Sequence, residues 1–122
     1  MSRNTLCNAI KNLELSYQLT PYQLEKFDEF FAHIKVGDLI YPGQLKSRLA
    51  TDIKMVYQML EELREQGYLA VVYEVYCRNC SKTKGIFLDS LSEFNEEYHC
   101  DFCDNHLNPL KDIIVLYRVV AL

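Results

Sequence analysis

The stretch "ATDIKMVYQMLEELREQGYLAVVYEVY", residues 50–76, changes its repeat partway along. Val56, Leu60 and Leu63 fall on one stripe at helical spacing, and Thr51 is positioned to cap the helix that carries them. Gly67 ends that helix. From Tyr68 to Tyr76 the chain becomes a nine-residue run rich in Val and Tyr, which reads as a strand. A helix, a glycine turn and a long strand are therefore written into one segment.

Working outward toward the N-terminus, Pro42 opens a shorter helix that turns Leu45 and Leu49 inward, and "DLIY" before it reads as a short strand. Thr20-Pro21-Tyr22-Gln23 announces another helix, with an N-cap, a proline at the first helical position and a capping-box glutamine. Leu24, Phe27, Phe31 and Ile34 repeat on its inner face, and Gly37 is expected to end it. Leu6, Ile10, Leu13 and Tyr17 keep helical spacing in residues 5–19. Residues 1–19 thus read as a helical arm, either packed on the core or used for dimerisation or partner contact.

Toward the C-terminus lie four of the five cysteines, spaced C-x2-C-x19-C-x2-C as Cys77, Cys80, Cys100 and Cys103. Two Cys-x-x-Cys turns can aim four soft sulfur donors at one point, the tetrahedral set that structural Zn2+ takes. One structural zinc per chain is the expectation. A thioredoxin-type redox pair would need one such turn at a helix start near a βαβ unit. A catalytic zinc would need an open coordination position, and four thiolates leave none. His99 and His106 beside the second pair read as surface residues, and Cys7 as a small buried apolar side chain.

Between the pairs, "GIFL" is strand-like, and Ser90-Leu91-Ser92-Glu93 forms a capping box expected to open a helical turn that buries Leu91 and Phe94. Asp89, Glu93, Glu96, Glu97, Asp101 and Asp104 read as a solvated acidic face. A unit with so little apolar mass needs the metal to fold. The run Ile113–Leu122 is β-type and is expected to pair antiparallel with Leu69–Tyr76.

At 122 residues with a net charge of −4, the chain has the composition of a soluble globular protein, and no apolar run reaches the roughly 20 residues that span a bilayer. Asn8, Lys11 and Asn12 interrupt anything resembling a signal peptide, so a cytoplasmic location is expected, where thiols stay reduced. Residues 1–70 carry eight Lys or Arg against nine Asp or Glu, and residues 71–122 carry five against eight, so no strongly basic face is available. The chain has no phosphate-binding glycine loop, no G-x-S-x-G and no H-E-x-x-H, and is expected not to be an enzyme.

The gapless run "LKSRLATDIKMVYQMLEELREQGYL", residues 45–69, resembles the helix-turn-helix part of winged-helix transcription regulators, with Ala50 and Thr51 standing where those have Gly and an aliphatic residue. The two cysteine pairs resemble a zinc ribbon. In domain order over residues 20–122, the chain is similar to the alpha subunit of general transcription factor E and its archaeal counterpart. The resemblance implies an α+β fold: an arm (1–19), a winged helix (20–76), a zinc ribbon (77–111) at or after the wing, and a closing strand (112–122).

Such a protein would act either as a non-catalytic adaptor holding a protein partner in a regulatory or nucleic-acid-handling complex, or as a sequence-specific DNA-binding regulator. The outward face of the second helix separates the two readings. Lys54 and Gln58 are placed to read base edges, while Glu61 and Glu65 on the same face would oppose phosphates. Lys46 and Arg48 on the preceding helix would reach the backbone, and Met55 and Tyr57 would anchor a protein partner. A homodimer, bringing two copies of the face to one site, is how useful DNA affinity would arise.

Overall fold

The computed structural model describes residues 5–122, so the first four residues of the arm lie outside the described part. The architecture is α+β. Four helices, α1 (Thr5–Ser16), α2 (Pro21–Ala32), α3 (Pro42–Leu49) and α4 (Ile53–Glu65), are joined by four strands, β1 (Leu39–Ile40), β2 (Leu69–Cys77), β3 (Lys82–Leu88) and β4 (Ile113–Val119). The strands form one sheet in the order β1-β4-β2-β3. The chain divides into two compact units, residues 1–70 with 117–122, and residues 71–116.

The first unit contains all four helices. The α2 start is as its sequence dictates: the Thr20 side chain accepts from the Gln23 N–H, and the Gln23 side chain accepts from the Thr20 N–H. The helix ends at Ala32, however, and Gly37 serves a later turn at φ +98°, donating its N–H to Val119 O. The α4 cap is Asp52 and not Thr51: the carboxylate of Asp52 accepts the Met55 N–H at 2.8 Å. The Thr51 hydroxyl instead donates to Met55 Sδ at 3.2 Å. An acidic residue one position nearer the helix reaches the free N–H of the first turn, so it takes the cap.

Val56, Met59, Leu60 and Leu63 of α4 are fully buried. At about 2 kcal/mol each, their burial is worth on the order of 8 kcal/mol, so packing and not propensity holds the helix. Leu6, Ala9, Ile10 and Leu13 give α1 its buried face. Cys7 is exposed, contrary to the expectation of burial, because it sits one residue off that face. Between α3 and α4, Ala50 is left-handed at φ 51°. β1 pairs antiparallel with the end of β4, Leu39 opposite Arg118 and Ile40 opposite Tyr117. The Val120 N–H donates to Tyr68 O.

The second unit holds the rest of β2, all of β3 and the start of β4. β2 and β3 pair antiparallel from Tyr73 opposite Leu88 to Cys77 opposite Lys82, with an irregularity between Glu74 and Tyr76. Beside β4, the Tyr76 N–H donates to Asp112 O at 3.0 Å. The core is small: Val75, Cys77, Leu88, Phe94, Cys100 and Leu107, flanked by partly buried Tyr73, Ile86 and Tyr98. The segment after β3 makes only a 3-10 turn, Leu91–Glu93, and the chain is extended again at Phe94. Phe94 is buried, but Leu91 stays exposed, since one short turn has no second turn to complete an inward face. Ser90 caps by accepting from Ser92 N–H, while Glu93 accepts from Asp89 N–H, so the reciprocal capping box does not form.

Candidate metal centre

Cys77 closes β2, and Cys80 follows in the turn to β3; Cys100 and Cys103 lie on a second turn between the 3-10 segment and β4. Their four Sγ atoms all lie within 4.8 Å of one another. Two of the contacts cross between the turns: Cys77 to Cys103 at 3.6 Å and Cys80 to Cys100 at 3.3 Å. A disulfide would require about 2.05 Å, so these are free thiols. A tetrahedron with metal–sulfur bonds of about 2.3 Å has edges of about 3.8 Å, and the observed spread brackets that value.

The two turns share a feature not evident in the sequence. The residue after the second cysteine of each pair is left-handed: Ser81 at φ 59° and Asp104 at φ 60°. Glycine is the usual choice at such positions, so neither residue advertises the turn. In the second turn Asp104 N–H donates to Cys100 O at 3.0 Å, and Cys100 N–H donates to Asn105 O at 2.9 Å.

Donors surround the sulfurs. The Phe102 N–H points at Cys100 Sγ at 3.4 Å, and Asn79 Nδ2 at Cys103 Sγ at 3.5 Å. The backbone N–H groups of Cys103 and Phe102 hold the Cys100 thiol down to about 6. The Asn79 amide, with the backbone of Asn105, lowers Cys103. Hydrogen bonding to Cys100, with burial, pushes Cys80 up to about 12. The Cys100 thiolate is thus favoured before any cation arrives, and a metal would displace thiol protons on binding. The donor set fits a soft tetrahedral cation in a closed structural site.

The first turn is secured by Asp112, which is buried. Its Oδ1 accepts the Arg78 N–H at 3.1 Å and its Oδ2 the Asn108 N–H at 2.8 Å. The Arg78 guanidinium donates onward to Lys111 O and Ile113 O at 2.7 and 3.0 Å. His99 and His106 are exposed, pair through a single bridge with rings 5.3 Å apart, and join no metal-ligating group among the described residues. That bridge is isolated and lies outside the four strands. The six carboxylates from Asp89 to Asp104 are all exposed, as a solvated acidic face requires, and Asp101 pairs with Lys84 at 2.8 Å.

In the helical unit, Lys46, Arg48, Lys54 and Gln58 are exposed, and Met55 and Tyr57 are partly buried. Lys54, Tyr57 and Gln58 share a surface concavity of about 630 Å3 with Tyr17, Glu61, Glu62 and Glu65. Lys46 and Arg48 are not part of it; the Arg48 guanidinium lies 5.8 Å from the Phe30 ring. Glu61 does not point freely outward. It accepts from the buried Tyr117 hydroxyl at 2.5 Å and from Arg64 Nε at 2.8 Å. Those bonds, Tyr117 first, hold its carboxyl below the usual carboxylate range despite opposing desolvation. Burial, then the Glu61 contact, raises Tyr117. Glu62 accepts a hydrogen bond from the Tyr17 hydroxyl.

Comparison with family models, characterised proteins and solved structures gave no significant match. Among the described residues, no helix is long and apolar enough to cross a membrane.

Proposed function

We propose that the chain is a non-catalytic, zinc-binding winged-helix adaptor that joins a protein partner to a regulatory or nucleic-acid-handling complex in the cytoplasm. The convergence of Cys77, Cys80, Cys100 and Cys103 within 4.8 Å carries this reading, because four thiol ligands saturate a tetrahedral ion and leave no position for substrate. Zn2+ is the cation that suits this donor set in a reducing compartment. The winged-helix and ribbon readings are supported by the order helix, short strand, helix, helix, strand and by the position of the cysteine unit between β2 and β4.

The charge around α4 favours a protein partner over DNA. Among the described residues, Lys54 is the one cation in a concavity that also holds Glu61, Glu62 and Glu65, and phosphates would be repelled there. Two measurements test the proposal. Elemental analysis of purified protein should give one zinc per chain; well below one, with the thiols oxidised, would refute the metal assignment. Fluorescence anisotropy with random and genomic duplexes should show feeble binding with a shallow salt slope, roughly −0.9 for each of about three phosphate contacts. Nanomolar binding to a defined operator at physiological salt, abolished by Lys54→Ala and Gln58→Ala, would replace the adaptor with a DNA-binding regulator acting as a dimer.

A further inference from the structure

Phe102 stands between Cys100 and Cys103 and is 69% exposed. Phe94 and Leu107 of this unit are buried. Phe87, Leu91 and Leu110 are exposed with Phe102, but of these four Phe102 alone stands within a Cys-x-x-Cys pair, and its phenyl ring has no polar edge to satisfy in water. Its backbone is also held within a hydrogen-bonded turn. The N–H points at Cys100 Sγ, and the turn is closed behind it by the Asp104 N–H on Cys100 O. Once the four cysteines hold a cation, the ring is displayed from a rigid knuckle, and docking it costs little ordering entropy.

The surroundings narrow the choice of partner. Lys82 Nζ lies 5.4 Å from the Phe102 ring centroid, and the neighbouring Lys84 is committed to Asp101. An exposed aromatic beside a lysine could stack on a nucleobase. The charge of the unit argues against that use. Residues 71–116 hold four Lys or Arg and eight Asp or Glu, a net of −4, whereas the other unit holds nine of each and nets zero. The whole negative charge of the chain therefore sits on the unit that displays Phe102. Glu93, Glu96, Glu97, Asp101 and Asp104 are exposed in this unit, Asp101 and Asp104 within two residues of Phe102, and this charge disfavours a phosphate backbone.

We infer that Phe102 is the anchor by which the cysteine unit docks on a protein partner, entering an apolar pocket rimmed by Lys or Arg side chains. Charge complementarity selects the rim and speeds encounter, while the buried ring supplies most of the affinity. This rests on the adaptor reading above, and it gives that reading a contact point away from the α4 face.

The test uses the full chain loaded with zinc. A benzophenone amino acid installed in place of Phe102 is irradiated in cells of the native host, and the crosslinked peptide is identified. The purified partner so found is then titrated with wild-type protein, Phe102→Ala, Phe102→Tyr and Lys54→Ala, with zinc content and melting temperature measured alongside. The expected result is a crosslink to a segment containing Lys or Arg, and affinity reduced tenfold or more by Phe102→Ala at unchanged zinc content and melting temperature, with Phe102→Tyr close to wild type. Affinity should also fall as salt rises. Absence of a protein crosslink overturns the anchor. So does a partner bound equally well by Phe102→Ala, although the adaptor reading would then survive through another surface. Crosslinking to RNA or DNA, with tight oligo-dT or oligo-U binding lost in Phe102→Ala, would overturn both.

Discussion

Ala50 occupies a left-handed position that most helix C-termini give to glycine. A Cβ there costs roughly 1 kcal/mol. The cost is tolerated because the burial of Leu49 and Val56 on either side is several times larger. Ala50→Gly is therefore expected to raise stability by about 0.5–1 kcal/mol, visible as an increase in melting temperature, and Ala50→Val to lower it. Glu14 offers a second case. Its Oε2 is buried without a hydrogen-bond partner, and burial with the Asp28 carboxyl nearby lifts its carboxyl to about 7, against a smaller lowering from Lys11. Because the folded value lies above the ordinary 4.5, this site contributes its full stability below about pH 4.5 and loses it as pH rises through 7. Glu14→Gln cannot ionise. In urea titrations it should gain on the order of 2 kcal/mol relative to wild type between pH 5 and pH 8; an unchanged difference would show that Glu14 titrates normally.

Among the elements, the turn carrying Cys77 and Cys80 depends on a residue thirty-odd positions away in sequence. Asp112 receives two backbone N–H groups, from Arg78 and Asn108, and both are left without that acceptor in Asp112→Ala. Asp112→Asn keeps one acceptor but turns an amide donor toward the other N–H. Both variants should bind zinc about tenfold more weakly in competition with a chelating dye, Asp112→Ala the more so. Metal affinity equal to wild type would mean that the turn holds its shape unaided. No local pattern foretold this role, because Asp112 looks like any acid before a strand until the chain returns to meet Arg78. The same holds for Glu61, whose partner Tyr117 is distant in sequence. Short-range signals, by contrast, were readable: the Thr20 and Gln23 box, the prolines opening α2 and α3, the periodic face of α4 and the paired cysteines. The start of α4 lies one position from where the sequence reading puts it: Thr51 is the expected cap, and the adjacent Asp52 takes it. The left-handed turns at Ser81 and Asp104 were hidden because neither residue is glycine.

For the whole molecule, every α-helix among the described residues belongs to one unit and every proposed zinc ligand to the other. Two of the six buried residues in the core of the second unit are themselves Cys77 and Cys100. Removing the metal should therefore disorder the second unit far more than the first. Chelation of the loaded protein is expected to leave the far-UV helix signal nearly unchanged while NMR resonances of residues 77–111 collapse, and Cys80→Ser should do the same. Simultaneous loss of both signals would show that the helices depend on the metal. The sheet order also bears on how the protein is made. β4 follows all other strands in the chain yet lies between β1 and β2, and its Tyr117 and Val119 are buried parts of the helical unit. Helices translated first must wait, incomplete and with the partner of β1 missing, until the entire cysteine segment has left the ribosome. Vectorial synthesis thus makes the earliest unit the last to be finished, and puts all four clustered cysteines outside the ribosome before the sheet can close.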